Sequence, residues 1–87
     1  MNRRKFLQRI MVSPANARFA DMVNLVEGFG FALIRVSGSH HIFGHPNVSE
    51  QINLQKVGAE AKPYQIRQFL RIVERYNLTL QEYSDEA

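Results

Sequence analysis

Between Ser37 and Pro46 the chain reads Ser-Gly-Ser-His-His-Ile-Phe-Gly-His-Pro, which puts a turn-forming glycine, a serine hydroxyl and three histidines within ten positions. Histidine is the side chain whose unperturbed pKa lies near neutral pH, so such a run suits proton transfer. Metal ligation fits it poorly. Along a strand His41 and His45 share a face but lie ~13 Å apart, and neither a cysteine nor an HExxH pattern accompanies them. Nucleophilic catalysis fits no better, because Ser39 directly precedes His40 and neighbouring strand residues diverge. A Gly-x-Ser-x-Gly elbow and a Walker loop are both missing from the sequence. Proton transfer is the chemistry the run suits best, with no metal and no cofactor expected.

Alternation along a strand decides which histidine is available. Successive side chains point to opposite faces, so His40 and His41 cannot serve one site, whereas His41, Phe43 and His45 share a face. With Phe43 turned toward the core, His40 projects to the open face beside Gly38 and Ser39, where a ligand backbone can approach closely. His41 and His45 then fall at the core margin.

The surrounding elements must hold this run in place. Phe6, Leu7, Ile10 and Met11 have helical spacing over residues 3–12, ended by Ser13-Pro14. Phe19, Met22, Val23 and Val26 form the stripe of a second helix over about 17–28, which stops at Gly28-Phe29-Gly30. Residues 31–37 read as a strand, Gly38 as the hairpin turn, and residues 40–45 as the return strand, stopped by Pro46-Asn47. Residues 51–55 alternate as a third strand, and 56–62 read as a polar loop. Pro63 opens a last helix with Ile66, Phe69, Leu70 and Val73 on its apolar side, running to about Tyr76 with Asn77 as a left-handed stop. Arg67, Arg71 and Arg75 repeat along another side, where a solvated face partly paired with Glu74 is the plain reading. The expected fold is α+β: a three-stranded antiparallel sheet with helices on one face, in the order α-β-β-β-α, and a short extra N-terminal helix. Double-stranded-RNA-binding domains have this order, an analogy of fold and not of function.

Eighty-seven residues make one domain. The absence of cysteine rules out a disulfide framework and fits a cytoplasmic protein. No stretch approaches the ~18 apolar residues that span a membrane, and the basic start has no small-residue cleavage site of a secretory signal. Net charge is +3 and the pI about 9.7, which admits a polyanionic partner. Arg3, Arg4, Lys5, Arg9 and Arg18 precede the first acid, Asp21, and read as a mobile positive arm. From Phe19 to Leu80 there are six basic and five acidic residues, so that part is nearly neutral.

The block Gly38-Ser39-His40-His41-Ile42-Phe43, followed by His45-Pro46, resembles the signature of the HicA family of toxin mRNA interferases. Gly30-Phe31-x-Leu33-x-Arg35 and Lys62-Pro63 fit the same pattern, and the likeness covers about Phe19 to Leu78. The resemblance implies a double-stranded-RNA-binding-like fold, mRNA cleavage without a metal, and neutralisation by a HicB-type antitoxin that covers the active site. The catalytic histidine of the family falls on His40. Residues 1–18 are then a basic extension, 19–80 the HicA-like domain and 81–87 an acidic tail. The segment from Gln55 to Ala61 departs from the histidine-containing stretch common at that place in the family.

RNA carries its own nucleophile, since the 2′-hydroxyl attacks the adjacent phosphorus. The enzyme must supply proton transfer, worth ~10²–10⁴ in rate, and stabilise the phosphorane charge. Gly38 and Ser39 are the expected RNA contacts beside His40, and Lys56, Lys62, Arg67 and Arg71 the expected phosphate contacts. A second reading stays open, a non-catalytic RNA-binding module of the same fold. A third is an interaction protein whose surface serves an antitoxin-like partner.

Overall fold

The structure, a computed structural model, describes residues 2–81. Its order is α1 (Arg3–Val12), α2 (Phe19–Gly28), β1 (Ala32–Ser37), β2 (His40–His45), β3 (Val48–Val57), β4 (Glu60–Ala61) and α3 (Pro63–Arg75). The strands form one antiparallel sheet in the order β1-β2-β3-β4. This is the expected α+β architecture, the extra N-terminal helix included, with a short fourth strand added within it. The acidic tail expected over 81–87 lies outside the described residues except for Gln81.

Local chemistry accounts for the element ends. The Asn2 side chain accepts from the Lys5 N–H and caps α1. Pro63 takes the first position of α3, where its missing N–H costs nothing. At the far end Asn77 adopts φ 52°. Leu78 N–H bonds to Val73 O and Asn77 N–H to Glu74 O, the paired bonds that close a helix through a left-handed residue. Gly38 turns the β1–β2 hairpin at φ 59° with open space around it.

One core joins all layers. Phe43, Ile52 and Leu54 on the sheet meet Met22, Leu25 and Val26 of α2 and Ile66 and Phe69 of α3. Phe69 also sits edge-on to Phe29 and Phe31, with ring centroids 5.6 and 5.9 Å apart. These side chains hold the inner face of β2 and β3, which fixes the direction of every alternate residue on the outer face.

Three expectations change. The segment 56–62 is not a plain polar loop, because β3 runs on to Val57, turns at Gly58 (φ 62°) and returns as β4. Residues 17–19 fasten alongside: Phe19 N–H bonds to Ala59 O, Ala61 N–H to Ala17 O, and Arg18 bridges Glu60. The basic N-terminal segment is not a mobile arm. Phe6 and Ile10 are buried in the common core, and α1 lies against α2. Arg3 donates to Asn24 O and Gln81 O, and Arg9 to the carbonyls of Ala15 and Asn16, so both guanidinium groups tie the chain together. The third change concerns Arg75, which pairs with Glu50 on β3 and not with Glu74. Tyr76 OH donates to the same carboxylate.

Candidate active site

The side-chain directions expected for the histidines hold. Phe43 is 1% exposed, so its face is the core face. On that face His41 packs edge-on against Phe19 at 4.7 Å and His45 against Phe31 at 5.0 Å between ring centroids. The His45 Nδ1 accepts from the Asn47 N–H at 3.0 Å, which closes the turn after β2. These two rings are structural parts of the sheet margin.

His40 points the other way. It is half-buried on the open face, opposite Ser37 on β1 and Gln55 on β3. Its Nδ1 lies 3.2 Å from Asn53 Oδ1. Cross-strand pairs share a face, so Ile42 with its partners Arg35 and Asn53 completes the surroundings. The open face thus carries an imidazole and a carboxamide in contact, with a hydroxyl and a guanidinium on the same face of the neighbouring strand. Near it, the register slips between Leu33 and Arg35. Ile34 leans over Gly44, where an added Cβ would come within 2.6 Å of Ile34 Cδ1. Gly44 therefore makes room for the bulge that precedes Arg35.

Of the residues named from the sequence, His40, Gly38 and Ser39 are brought together by the hairpin. Sequence reasoning missed Arg35 and Asn53. The signal for both is strand parity combined with register: two residues before Ser37, and the partner of Ile42. The four cations named from the sequence do not gather around His40. Lys56 has the parity of Leu54 and so belongs to the helix side of β3. Lys62 precedes the first turn of α3 without a side-chain capping bond, and its ammonium lies over the Tyr64 ring at 5.9 Å. Arg67 and Arg71 are exposed on α3, in the layer behind the sheet.

Arg71 nevertheless has a route to the site. Beyond the short β4, the free edge of β3 faces α3 across a groove of about 330 Å³, lined by Gln51, Asn53, Gln68, Arg71 and Arg75 among others. Gln65, buried at 2%, closes one end of this edge by accepting from the Gln55 N–H at 2.6 Å. Asn53 belongs both to the groove and to the His40 cluster, so the two are continuous. Among the described residues, no three His, Asp or Glu side chains converge to hold a metal ion.

A sequence model of the family described as HicA toxin of bacterial toxin-antitoxin matches residues 19–74, more than half of the chain. The chain belongs to the HicA toxin family. The match starts at the first residue of α2 and ends one residue before the end of α3, so it leaves α1 outside. Searches of curated proteins and of solved structures found no match. Membership in HicA makes this a toxin-antitoxin protein and implies an antitoxin partner. No helix among the described residues is long and apolar enough to cross a membrane.

Proposed function

We propose that this HicA chain is a metal-independent endoribonuclease that cleaves mRNA in the cytoplasm and is held inactive by a HicB-type antitoxin covering the His40 face. The observation that carries the reading is the placement of one imidazole on the open face beside Asn53, while its two neighbours pack against phenylalanines on the core face. A histidine kept for packing would sit where His41 and His45 sit.

In the proposed reaction His40 Nε2 takes the 2′-hydroxyl proton, and the 2′-oxygen attacks the adjacent phosphorus. The bond from phosphorus to the 5′-oxygen breaks, leaving a 2′,3′-cyclic phosphate, and the departing 5′-oxygen takes a proton from water to become the 5′-hydroxyl, while His40 returns its proton to solvent. Arg35, on the same face, is placed to neutralise charge on the phosphorane. Gly38 and Ser39 contact the RNA backbone at the turn. Arg71 holds a phosphate further along, in the groove past Asn53. Lys56, Lys62 and Arg67 act on flanking RNA only if it wraps around the sheet edge.

The test is purified protein incubated with RNA in the presence of a chelator, with the new ends characterised. Cyclic-phosphate and 5′-hydroxyl ends support the reading. Binding without cleavage favours the non-catalytic RNA-binding module. Activity lost to the chelator contradicts the mechanism. Growth arrest on expression of the toxin alone, relieved by the product of an adjacent small reading frame, tests the antitoxin.

A further inference from the structure

His40 and His45 differ in what their Nδ1 atoms meet, while His41 Nδ1 lies 3.4 Å from the carbonyl oxygen of Ser39. At His45, Nδ1 accepts a backbone N–H from Asn47 at 3.0 Å. An atom that accepts has a free lone pair, so the neutral His45 ring carries its proton on Nε2. At His40 the relation is reversed. Its Nδ1 faces Asn53 Oδ1 at 3.2 Å, and a carboxamide oxygen can only accept. The proton of neutral His40 then belongs on Nδ1, and Nε2 is left with its lone pair outward. The hydrogen bond at one ring nitrogen sets the chemistry of the other.

Asn53 is well placed to impose this. It stands on β3, paired there with Ile42 of β2, between Ile52 and Leu54, exposed by only 3% and 0%. Those two anchor its backbone while its side chain shares the open face with His40. Directly across from His40 the flanking strands carry Ser37 and Gln55, neither of which titrates near neutral pH. No carboxylate takes the part that Asn53 has.

We infer that Asn53 is a positioning residue: its side-chain oxygen holds His40 as the Nδ1–H tautomer with Nε2 free to accept a proton. It also stabilises the imidazolium once that proton arrives, because the charged ring still donates from Nδ1. The catalytic part of this inference rests on the proposed role of His40, but the tautomer itself does not.

The experiment uses full-length protein labelled with ¹⁵N in histidine, observed by long-range ¹H–¹⁵N NMR at a pH where the rings are neutral. His40 should show a protonated Nδ1 and a bare Nε2, with His45 showing the opposite pattern as an internal reference. Asn53→Leu should release His40 toward the Nε2–H form and lower kcat for RNA cleavage at least about 10-fold, the low end of the loss when a partner that orients a metal-bound histidine is removed. KM should change less than about threefold, since Asn53 acts through the ring and not on the substrate. Asn53→Asp restores an oxygen acceptor, so it should recover the Nδ1–H pattern and most of kcat. Its carboxylate raises the imidazole pKa, which moves the acid limb of the pH profile to higher pH. Thermal melting of both variants checks that the fold is retained. A wild-type His40 protonated on Nε2 would overturn the inference, as would an Asn53→Leu protein with an unchanged tautomer. If the tautomer depends on Asn53 while wild type cleaves no RNA, the positioning stands and the nuclease reading falls.

Discussion

Ile10 gives the sharpest test of how the N-terminal helix belongs to this protein. It lies outside the segment that matches the family, yet it is 0% exposed, and Phe6 one turn earlier is 7% exposed. A ten-residue helix is not stable alone in water, so α1 exists because its apolar side is buried against α2. Ile10→Ala removes buried methyl and methylene groups from a site with no route to solvent, which costs about 2–5 kcal/mol. A chain of this length has a total stability of only about 4–13 kcal/mol, so the change removes a large part of it. In urea unfolding with a slope of about 1.5 kcal/mol/M, the midpoint should fall by about 1–3 M. Met11→Ser, at a position 65% exposed, is the control and should stay within about 0.5 kcal/mol of wild type. A shift in the Ile10→Ala midpoint below about 0.3 M would refute the packing of α1 and return residues 1–18 to the status of a loose basic arm.

Gly38→Val should cost about 1–2 kcal/mol by denaturant unfolding, from backbone strain alone, because φ is 59° while nothing stands within 4 Å of an added Cβ; wild-type stability would place the left-handed turn elsewhere. Glu50 offers a pH test. The Tyr76 hydroxyl is the main cause that holds its carboxyl below the ordinary value of 4.5, helped by Ser49, its own backbone N–H and Arg75 and opposed by partial burial. A folded pKa below the unfolded one stabilises the fold above the unfolded value, and this is lost as pH falls through 4.5 and then the folded value. Melting temperature between pH 6 and pH 3 should therefore fall more in wild type than in Tyr76→Phe, and equal falls would contradict the coupling.

The parts legible in the sequence were those governed by short-range chemistry. A glycine between two β-rich runs, a proline before a helical stripe and an asparagine after one each imply a local backbone state, and Gly38, Pro63 and Asn77 adopt those states. Parity from one bulky residue, Phe43, was enough to send His40 outward and His41 inward. What escaped depended on partners distant in sequence. The helical spacing of Phe6 and Ile10 was visible, but whether that helix packs depends on the side that α2 offers it. Leu25, absent from the expected stripe of α2, is fully buried in the same common core as Phe6 and Ile10 of the neighbouring α1. β4 is two residues long, too short for any pattern, and forms because residues 17–19 supply it with a second edge. Asn53 lacked any motif, Arg35 stood in the Gly30-Phe31 pattern with no role attached, and only the register with Ile42 brings the two to the face of the histidine.

The central claim is that one histidine does the chemistry and its neighbour holds the sheet. The most direct measurement compares His40→Ala with His41→Ala, each melted and each assayed on RNA with chelator present. His40→Ala should lose at least about 100-fold in cleavage rate and stay within about 0.5 kcal/mol of wild-type stability. His41→Ala should keep its cleavage and lose about 0.5–1.5 kcal/mol of stability with the Phe19 ring contact. Wild-type cleavage by His40→Ala, or loss of cleavage in a stable His41→Ala, would contradict the account.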